Sequence, residues 1–424
     1  MDLRWIVPAI VLACAACGSG SEVEDSGETE ASDTGVGEPC EFEDAALEAI
    51  VREEVTRRLG RGPGDEIDAD EAAMVGALYF AGQGVRSLAG IECLVGVREI
   101  AASDNEITDL TPVSGLPLLV SLDVSDNGLT SLGTLTGPPS LTRLVAVNNE
   151  IEAVGSLDAL QALRILELRG NQIARIDDMS ALSELEAFDL SDNPVASLDG
   201  MPAFPGLYTL ILSDTLLVDL AGMPTHPKLR DLYLDGSNLT SLAFDAPQPT
   251  LLNLFAADSQ LTSLAGLATF EFPNLRGLVV SNNPLSGAEG VEGLVNLTKV
   301  NVSSCGLSDL TPFAGLSNLE VFSAEDNAIS DLSPVAGATM ISVGSNQLTT
   351  LEPLKGGTPL QLLDVRDNLI SDYYEISLLN YEECAWVWFS GNPGLDEELL
   401  TQGMCGSMIV VEAGCNSSVC EPDW

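Results

Sequence analysis

Asparagine recurs along this chain on a fixed beat: Asn105, Asn127, Asn149, Asn171 and Asn193 each lie 22 residues from the next. Around each stands the same pattern, with apolar residues at positions 1, 4, 6 and 11 of a unit and Asn at position 9. Leu119, Leu122, Val124, Asn127 and Leu129 make one copy, and Leu163, Leu166, Leu168, Asn171 and Ile173 another. A unit this short cannot bury its apolar face alone and must stack on its neighbours. The period therefore predicts one continuous core grown by addition, where a length of 424 residues alone would suggest two or three separate domains.

The beat continues from Gln83 through Thr215, Ser237, Ser259, Asn283, Cys305, Asn327, Asn346, Asn368 and Asn392, about fifteen units in all. The buried Asn amide is expected to satisfy backbone groups in the turn after each strand, and Thr215, Ser237 and Ser259 to do so less completely. The second half of each unit reads like Asp109-Leu110-Thr111-Pro112 or Asp309-Leu310-Thr311-Pro312. Pro and Gly there exclude a long helix and favour short 3₁₀ turns. Before the repeats, the spacing of Leu47, Ile50, Val51, Val55 and Leu59 predicts a helix with Asp44 as N-cap and Gly60 as stop. A shorter helix is expected over 68–74.

The L-x-x-L-x-L-x-x-N-x-L pattern is that of the leucine-rich repeat. The 22-residue period, the D-L-T-P and D-L-S-P turns, the helical N-terminal cap and the link Gly90-Ile91-Glu92-Cys93-Leu94 resemble the internalin type of bacterial leucine-rich repeat protein over about residues 42–395. The resemblance implies an α/β repeat solenoid, a horseshoe with a concave parallel β-sheet and convex 3₁₀ turns, that grips partner proteins on the concave face. No immunoglobulin-like domain or cell-wall sorting sequence is recognised after the repeats, so a role in invasion is not expected. The same repeat type resembles a eukaryotic phosphatase-regulating subunit, which an export signal argues against.

The expected organisation is a lipoprotein signal peptide at 1–17, an acidic disordered tether at 18–39, the helical cap at 40–74, the repeats at 75–395 and a disulfide-bonded C-terminal cap at 396–424. Arg4 precedes an apolar stretch that ends in small residues around two cysteines, which is too short to span a membrane stably. A Cys directly after small residues resembles a bacterial lipobox. Cys17, with small residues before it and a Gly-Ser spacer after it, is favoured as the acylated residue over Cys14, and ordinary signal cleavage is the alternative. This places the protein at a bacterial outer membrane or cell surface, held by lipid. Cysteines clustered at the two ends of an exported solenoid read as stapled caps. Cys40 with Cys93 is the natural N-terminal pair. Cys384, Cys405, Cys415 and Cys420 allow three pairings, with Cys384–Cys405 and Cys415–Cys420 preferred. Cys305, in an Asn slot, is expected to be a buried free thiol.

Net charge is -47, from 64 acidic and 17 basic residues. That repels nucleic-acid phosphates and anionic lipids and favours a basic or mixed-charge protein partner. The single histidine, His226, lies between prolines, so histidine-based catalysis is unsupported, and no phosphate-binding or dinucleotide motif occurs. No enzyme activity and no cofactor are expected. Asp123-Val124-Ser125-Asp126-Asn127 and Asp189-Leu190-Ser191-Asp192-Asn193 suggest calcium only superficially, since they lack EF-hand spacing. The sequons at Asn238, Asn296, Asn301 and Asn416 are read as chance.

Alternation within each strand puts unit positions 3, 5, 7 and 8 on the open face. At position 5, four consecutive strands carry Ile211, Tyr233, Phe255 and Val279, a stripe of roughly 15 Å at a strand spacing of about 4.8 Å. Asp189, Asp192, Asp214, Asp231, Asp235 and Asp258 surround it. An exposed apolar centre with a charged rim is how protein interfaces are built. The expected site is therefore Asp189, Ile211, Asp214, Tyr233, Asp235, Phe255, Asp258 and Val279, in a non-catalytic protein-binding envelope lipoprotein. A glycan- or calcium-binding envelope protein and a structural spacer without a single ligand are the alternatives. Trp386 and Trp388, also open by this count, are expected to lie under the C-terminal cap.

Overall fold

Each repeat contributes one short strand, three residues long at unit positions 3 to 5 in all but the last two, in which the middle side chain is buried and its two neighbours face the other way. Ser121–Asp123 is such a strand, with Leu122 fully buried. The computed structural model describes residues 39–393 apart from 61, 63–65, 156, 177–178, 269–271 and 373 and the side chains of 383 and 384. Within it, fifteen strands, β1 (Ala77–Tyr79) to β15 (Tyr381–Trp388), join in strict chain order into one sheet, and every neighbouring pair is parallel. The fold is the parallel-sheet solenoid of leucine-rich repeats that the period predicted. The expected signal peptide and its Cys14 and Cys17, the tether, and the C-terminal cap with Cys405, Cys415 and Cys420 lie outside the described residues, as does the side chain of Cys384.

The asparagine column holds the units together. The Asn127 amide donates to the carbonyls of Ala102, Val124 and Ser125 at 3.0–3.1 Å, and its carbonyl accepts the Ile107 N–H at 2.9 Å. One side chain thus closes its own turn and ties it to the preceding unit, satisfying groups that no strand partner reaches. Asn171, Asn193, Asn346 and Asn368 repeat the arrangement while almost fully buried. Thr215, Ser237 and Ser259 donate to the carbonyls of Leu212, Leu212 and Ala257, the Thr215 and Ser237 hydroxyls also lie 3.4 Å from each other, and among the described residues none of the three accepts a backbone N–H. Cys305 fills its slot as a buried free thiol directed at the Val280 carbonyl, and burial pushes it up to about 11.

Position 8, next to each asparagine, has one backbone conformation throughout. Eleven units hold a non-glycine residue there with φ between 51° and 56°, and the other four hold Gly82, Gly170, Gly236 and Gly391. Only Asp, Asn, Ser and Gly occur, the residues that tolerate this left-handed region.

At the turns behind the sheet, Asp109 accepts the Thr111 N–H and hydroxyl at 2.9 and 2.7 Å, and a 3₁₀ turn follows over Thr111–Gly115. Asp309 and Asp331 do the same for Thr311 and Ser333. At the N-terminal end, α1 (Ala45–Leu59) starts at Asp44 and is closed by Gly60 in the left-handed region. Asp44 does two things. Its Oδ1 accepts from Ala46 and Leu47, and its Oδ2 accepts from Arg86 at 2.7 Å and Ser87, so the cap residue also fixes the helix to the first repeat. A disulfide between Cys40 and Cys93, with Cα atoms 6.0 Å apart, fastens the same junction. A five-residue helix, α2 (Ala69–Ala73), completes this end.

Candidate functional site

The stripe lies where the register puts it. Asp189 pairs with Ile211, Ile211 with Tyr233, Tyr233 with Phe255, and Phe255 with Val279, across β6 (Ala187–Asp189), β7 (Thr209–Ile211), β8 (Asp231–Tyr233), β9 (Asn253–Phe255) and β10 (Gly277–Val279). The Tyr233 and Phe255 rings are parallel within 1°, with centroids 4.6 Å apart. Strand spacing sets this contact, because identical rotamers on adjacent parallel strands fall face to face.

The expectation that all four side chains stand free in solvent needs correction. Ile211, Phe255 and Val279 are half-buried, but Tyr233 is only 8 % exposed. Flanked on one side by Ile211 and stacked on the other by Phe255, its ring is part of the packing of the face. Its hydroxyl makes no hydrogen bond to any described residue. Burial pushes the phenol up to about 12, with Asp231 and Asp235 adding to the shift.

The carboxylates differ among themselves. Asp189 is engaged locally, accepting the Ser191 N–H and hydroxyl at 2.8 and 2.6 Å. Asp123 does the same with Ser125, so both runs that suggested calcium spend a carboxylate on their own turn. Asp192 pairs with Arg169 at 2.6 Å, Asp231 accepts from the Asn253 amide at 2.6 Å, and Asp258 accepts from the Asn282 amide at 2.9 Å. Asp214 makes no hydrogen bond through its carboxylate among the described residues. That carboxylate leans over Gly236, where an added Cβ would meet its Oδ1 at 2.2 Å. Glycine there leaves room for the acid, as Gly391 does for Asp367. Burial, reinforced by Asp192 and Asp258, raises Asp214. Asp235 is half-buried, accepts the Ala257 N–H at 2.8 Å, and is pushed up to about 6 by burial and by Asp258 and Asp214.

Asp214 and Asp258 sit at position 8, so their identity has a backbone reason independent of any partner, a signal readable in the restricted residue set of that column. The charged rim expected there is partly the by-product of a left-handed turn. Asp235, at position 7, has no such reason.

His226 is fully buried behind the sheet, in a column that also holds Leu182, Phe204, Gln248 and Phe272. Its Nδ1 accepts the Phe204 N–H at 3.2 Å, its ring stacks on Phe204, and its own N–H donates to Gln248 Oε1 at 3.0 Å. Among the described residues its Nε2 has no hydrogen-bond partner. Burial lowers its pKa to about 4, so the ring is neutral. The units carrying His226 and Gln248 in this column also carry Thr215 and Ser237 in the asparagine column, and they underlie the stripe. Sequence reading missed this doubled departure from the apolar and asparagine columns.

Elsewhere, Trp386 and Trp388 are half-buried and stacked, with centroids 6.1 Å apart, and the Arg366 guanidinium lies over Trp388. An open groove of about 530 Å³ runs past Asn274, Asn296 and Asn318, but each of these amides already donates to a carbonyl of the preceding unit. Among the described residues no three His, Cys, Asp or Glu side chains converge as a metal site, and no helix is long and apolar enough to cross a membrane.

No protein-family model matches the chain, and no curated protein sequence does either. Solved structures do. An internalin (InlF) from Listeria monocytogenes shares 22 % identity, with 88 % of this chain and 96 % of that one covered, at a TM-score of 0.55. The functional domain of InlJ from the same organism, which includes a cysteine ladder, shares 21 % identity over 77 % of this chain and 75 % of that one, at 0.56. A chain of the Drosophila Toll–Spätzle complex shares 17 % identity over 76 % of this chain and 45 % of that one, at 0.57. At these identities the likeness is one of fold.

Proposed function

We propose that this chain is a non-catalytic binding protein that holds a partner protein against the sheet face over β7 to β10, and that an acylated cysteine, Cys17 or Cys14, tethers it to a bacterial envelope. One observation carries the binding reading. The stacked Tyr233–Phe255 pair, flanked by Ile211 and Val279, forms an apolar centre among carboxylates on the open face of the sheet. Large aromatic side chains in such a centre, ringed by polar groups, are where interfaces concentrate their affinity. The neighbouring position-5 residues Asp189 on one side and Asn301 on the other bound the patch sharply. That a chain of this fold belongs to the Toll–Spätzle complex is in keeping with a protein partner.

Photo-cross-linking tests the surface. A benzophenone amino acid at Phe255 should join the full-length protein to one envelope protein in cells. The same group at Val295, a 51 % exposed residue outside the strands, should not. Labelling from Val295 alone would place the interface elsewhere. Tethering has its own test. The full chain should sediment with membranes and the Cys14→Ser/Cys17→Ser variant should not, since several acyl chains anchor where one binds only marginally. Equal partitioning would rule out lipidation.

A further inference from the structure

We infer that acid opens the turns leading into β7, β8 and β9, and so takes the proposed binding face apart, when a proton reaches the buried ring of His226. The inference rests on the reading of the β7–β10 face as the binding surface and names how that face is regulated.

Each strand is entered through a turn whose N–H groups need acceptors. Elsewhere the turn supplies them itself: the Leu160 N–H donates to the Leu157 carbonyl at 2.9 Å and the Leu182 N–H to that of Met179 at 3.0 Å. The turns before β7 and β8 carry Pro202 and Pro205, then Pro224 and Pro227. There the corresponding N–H groups, of Phe204 and His226, go to a side chain of the next unit. Phe204 donates to His226 Nδ1 at 3.2 Å and His226 to Gln248 Oε1 at 3.0 Å. The Gln248 amide ends the ladder on the Pro224 carbonyl at 2.8 Å. The carbonyls of Phe204, His226 and Gln248 accept in turn from Leu207, Leu229 and Leu251 at 3.1–3.3 Å. Those three leucines open the units that carry Ile211, Tyr233 and Phe255.

Of the two side-chain rungs, only the histidine can be broken by a proton. Because Nδ1 accepts, the neutral ring carries its hydrogen on Nε2, which is buried and has no hydrogen-bond partner among the described residues. A second proton has to go to Nδ1. There it would face the Phe204 N–H, donor against donor, and leave a cation with two unmatched N–H groups in the core. Among the described residues nothing offsets that charge. Phe204, stacked on the ring, is neutral, and so are Gln248, Leu182 and Phe272 along the column. On its own turn Lys228 is exposed, cationic and placed over the Tyr208 ring, and on the next the exposed Asp245 accepts the Gly222 N–H at 3.0 Å. The ionisable residues of β8, Asp231 and Tyr233, are on the opposite face of the sheet. No charged group acts on the His226 pKa, which burial lowers. The closed ring therefore rejects a proton that an opened one accepts, and falling pH favours the open state. Beyond β7 and β8 the turns carry Thr215 and Ser237, so these units lack the asparagine fastening as well. Asp235 acts in the opposite sense, since burial raises its pKa and its protonation favours the closed face.

Hydrogen exchange of the full-length protein, read by mass spectrometry and corrected for the pH dependence of the intrinsic rate, measures the opening. Between pH 7.5 and pH 5, exchange in peptides from 204–255 should rise at least tenfold more in the parent than in His226→Gln, which keeps an acceptor for Phe204 but does not titrate. His226→Phe puts in the residue that the column holds at 204 and 272, also stays neutral, and should lack the response too, so the comparison survives if one variant fails to fold. Asp235 is present in all three proteins, and its opposing effect cancels. Peptides from 99–171, where Asn105, Asn127, Asn149 and Asn171 fasten the turns, should respond alike in the three. An equal rise in parent and variants, or a rise spread evenly over both stretches, would overturn the proposal. Cross-linking from Phe255 in envelope preparations ties the opening to binding. Capture should fall at least fivefold from pH 7.5 to pH 5 in the parent and hold in the neutral variants. Capture at pH 7.5 without the local acid response removes the switch and leaves the face standing. A local response without capture at either pH removes the face, and its regulation with it.

Discussion

At the scale of single residues, one backbone requirement governs much of the surface: position 8 must adopt positive φ, and Asp satisfies it in seven units. At Asp326, with φ 53°, Asp326→Gly should leave stability almost unchanged, while Asp326→Val should cost about 1–2 kcal/mol, because a β-branched side chain clashes in that region. Chemical denaturation of the two variants checks it, and equal losses would refute the backbone explanation. Two titrating residues act on stability in opposite senses. His226 has its folded pKa lowered from 6.5 to about 4, so below pH 6.5 the unfolded chain binds a proton that the folded chain refuses. Stability is therefore lost as pH falls from about 6.5 to about 4, by about 2 kcal/mol at pH 5. Asp235 has its folded pKa raised from 3.8 to about 6, so its burden on the fold is relieved as pH falls through that window, by about 1–2 kcal/mol after allowance for partial exposure. The parent profile sums the two, and single variants separate them. His226→Gln, which offers Phe204 an acceptor as Gln248 does His226, should be less acid-sensitive than the parent. Asp235→Asn should be more stable than the parent at pH 7.5. Of the site, the sequence made the position-5 stripe legible, since alternation alone places it. It did not reveal that Tyr233 is enclosed or that Asp214 lacks a partner, because both depend on the neighbours in adjacent units: Phe255 and Ile211 for the one, the glycine at 236 for the other.

At the scale of elements, the asparagine turns and the cap decide how firmly each unit is held. Asn171→Ala removes three donor contacts and the acceptor for the Ile151 N–H, all buried except the part-buried contact to Arg169. It should cost about 2–3 kcal/mol, whereas Ser237→Ala loses two long contacts of 3.4 Å, to the Leu212 carbonyl and the Thr215 hydroxyl, and should cost about 1 kcal/mol or less. Equal costs would mean that the asparagine column is not what fastens the units. The strands, the turns opened by Asp109 and Asp309, and the helix capped by Asp44 could all be read from sequence because each depends on residues within one unit or at a fixed offset. The second task of Asp44, gripping Arg86 and Ser87, could not, since it joins residues more than forty positions apart. Nor could the column of Phe204, His226 and Gln248, where polar residues sit in a slot that periodicity assigns to the core. These two polar rungs lie in the units with Thr215 and Ser237 at position 9, so the proposed binding face rests on units that lack the asparagine fastening.

At the scale of the whole molecule, a net charge of -47 sets the company the protein keeps. On the proposed reading it favours basic surfaces over nucleic acid and anionic lipid, and such effects weaken with salt. A repeat array has one long sheet on which any stretch of units could serve as a binding site, and charge alone does not choose among them. In the proposed function the choice comes from the apolar stripe over β7 to β10. The most direct measurement is the affinity of the cross-linked envelope protein, once purified, for the full-length parent, for Phe255→Ser and for Val295→Ser. The account predicts that Phe255→Ser binds at least tenfold more weakly, with thermal stability close to the parent's, and that Val295→Ser binds as the parent does. Parent-like affinity in Phe255→Ser would contradict it.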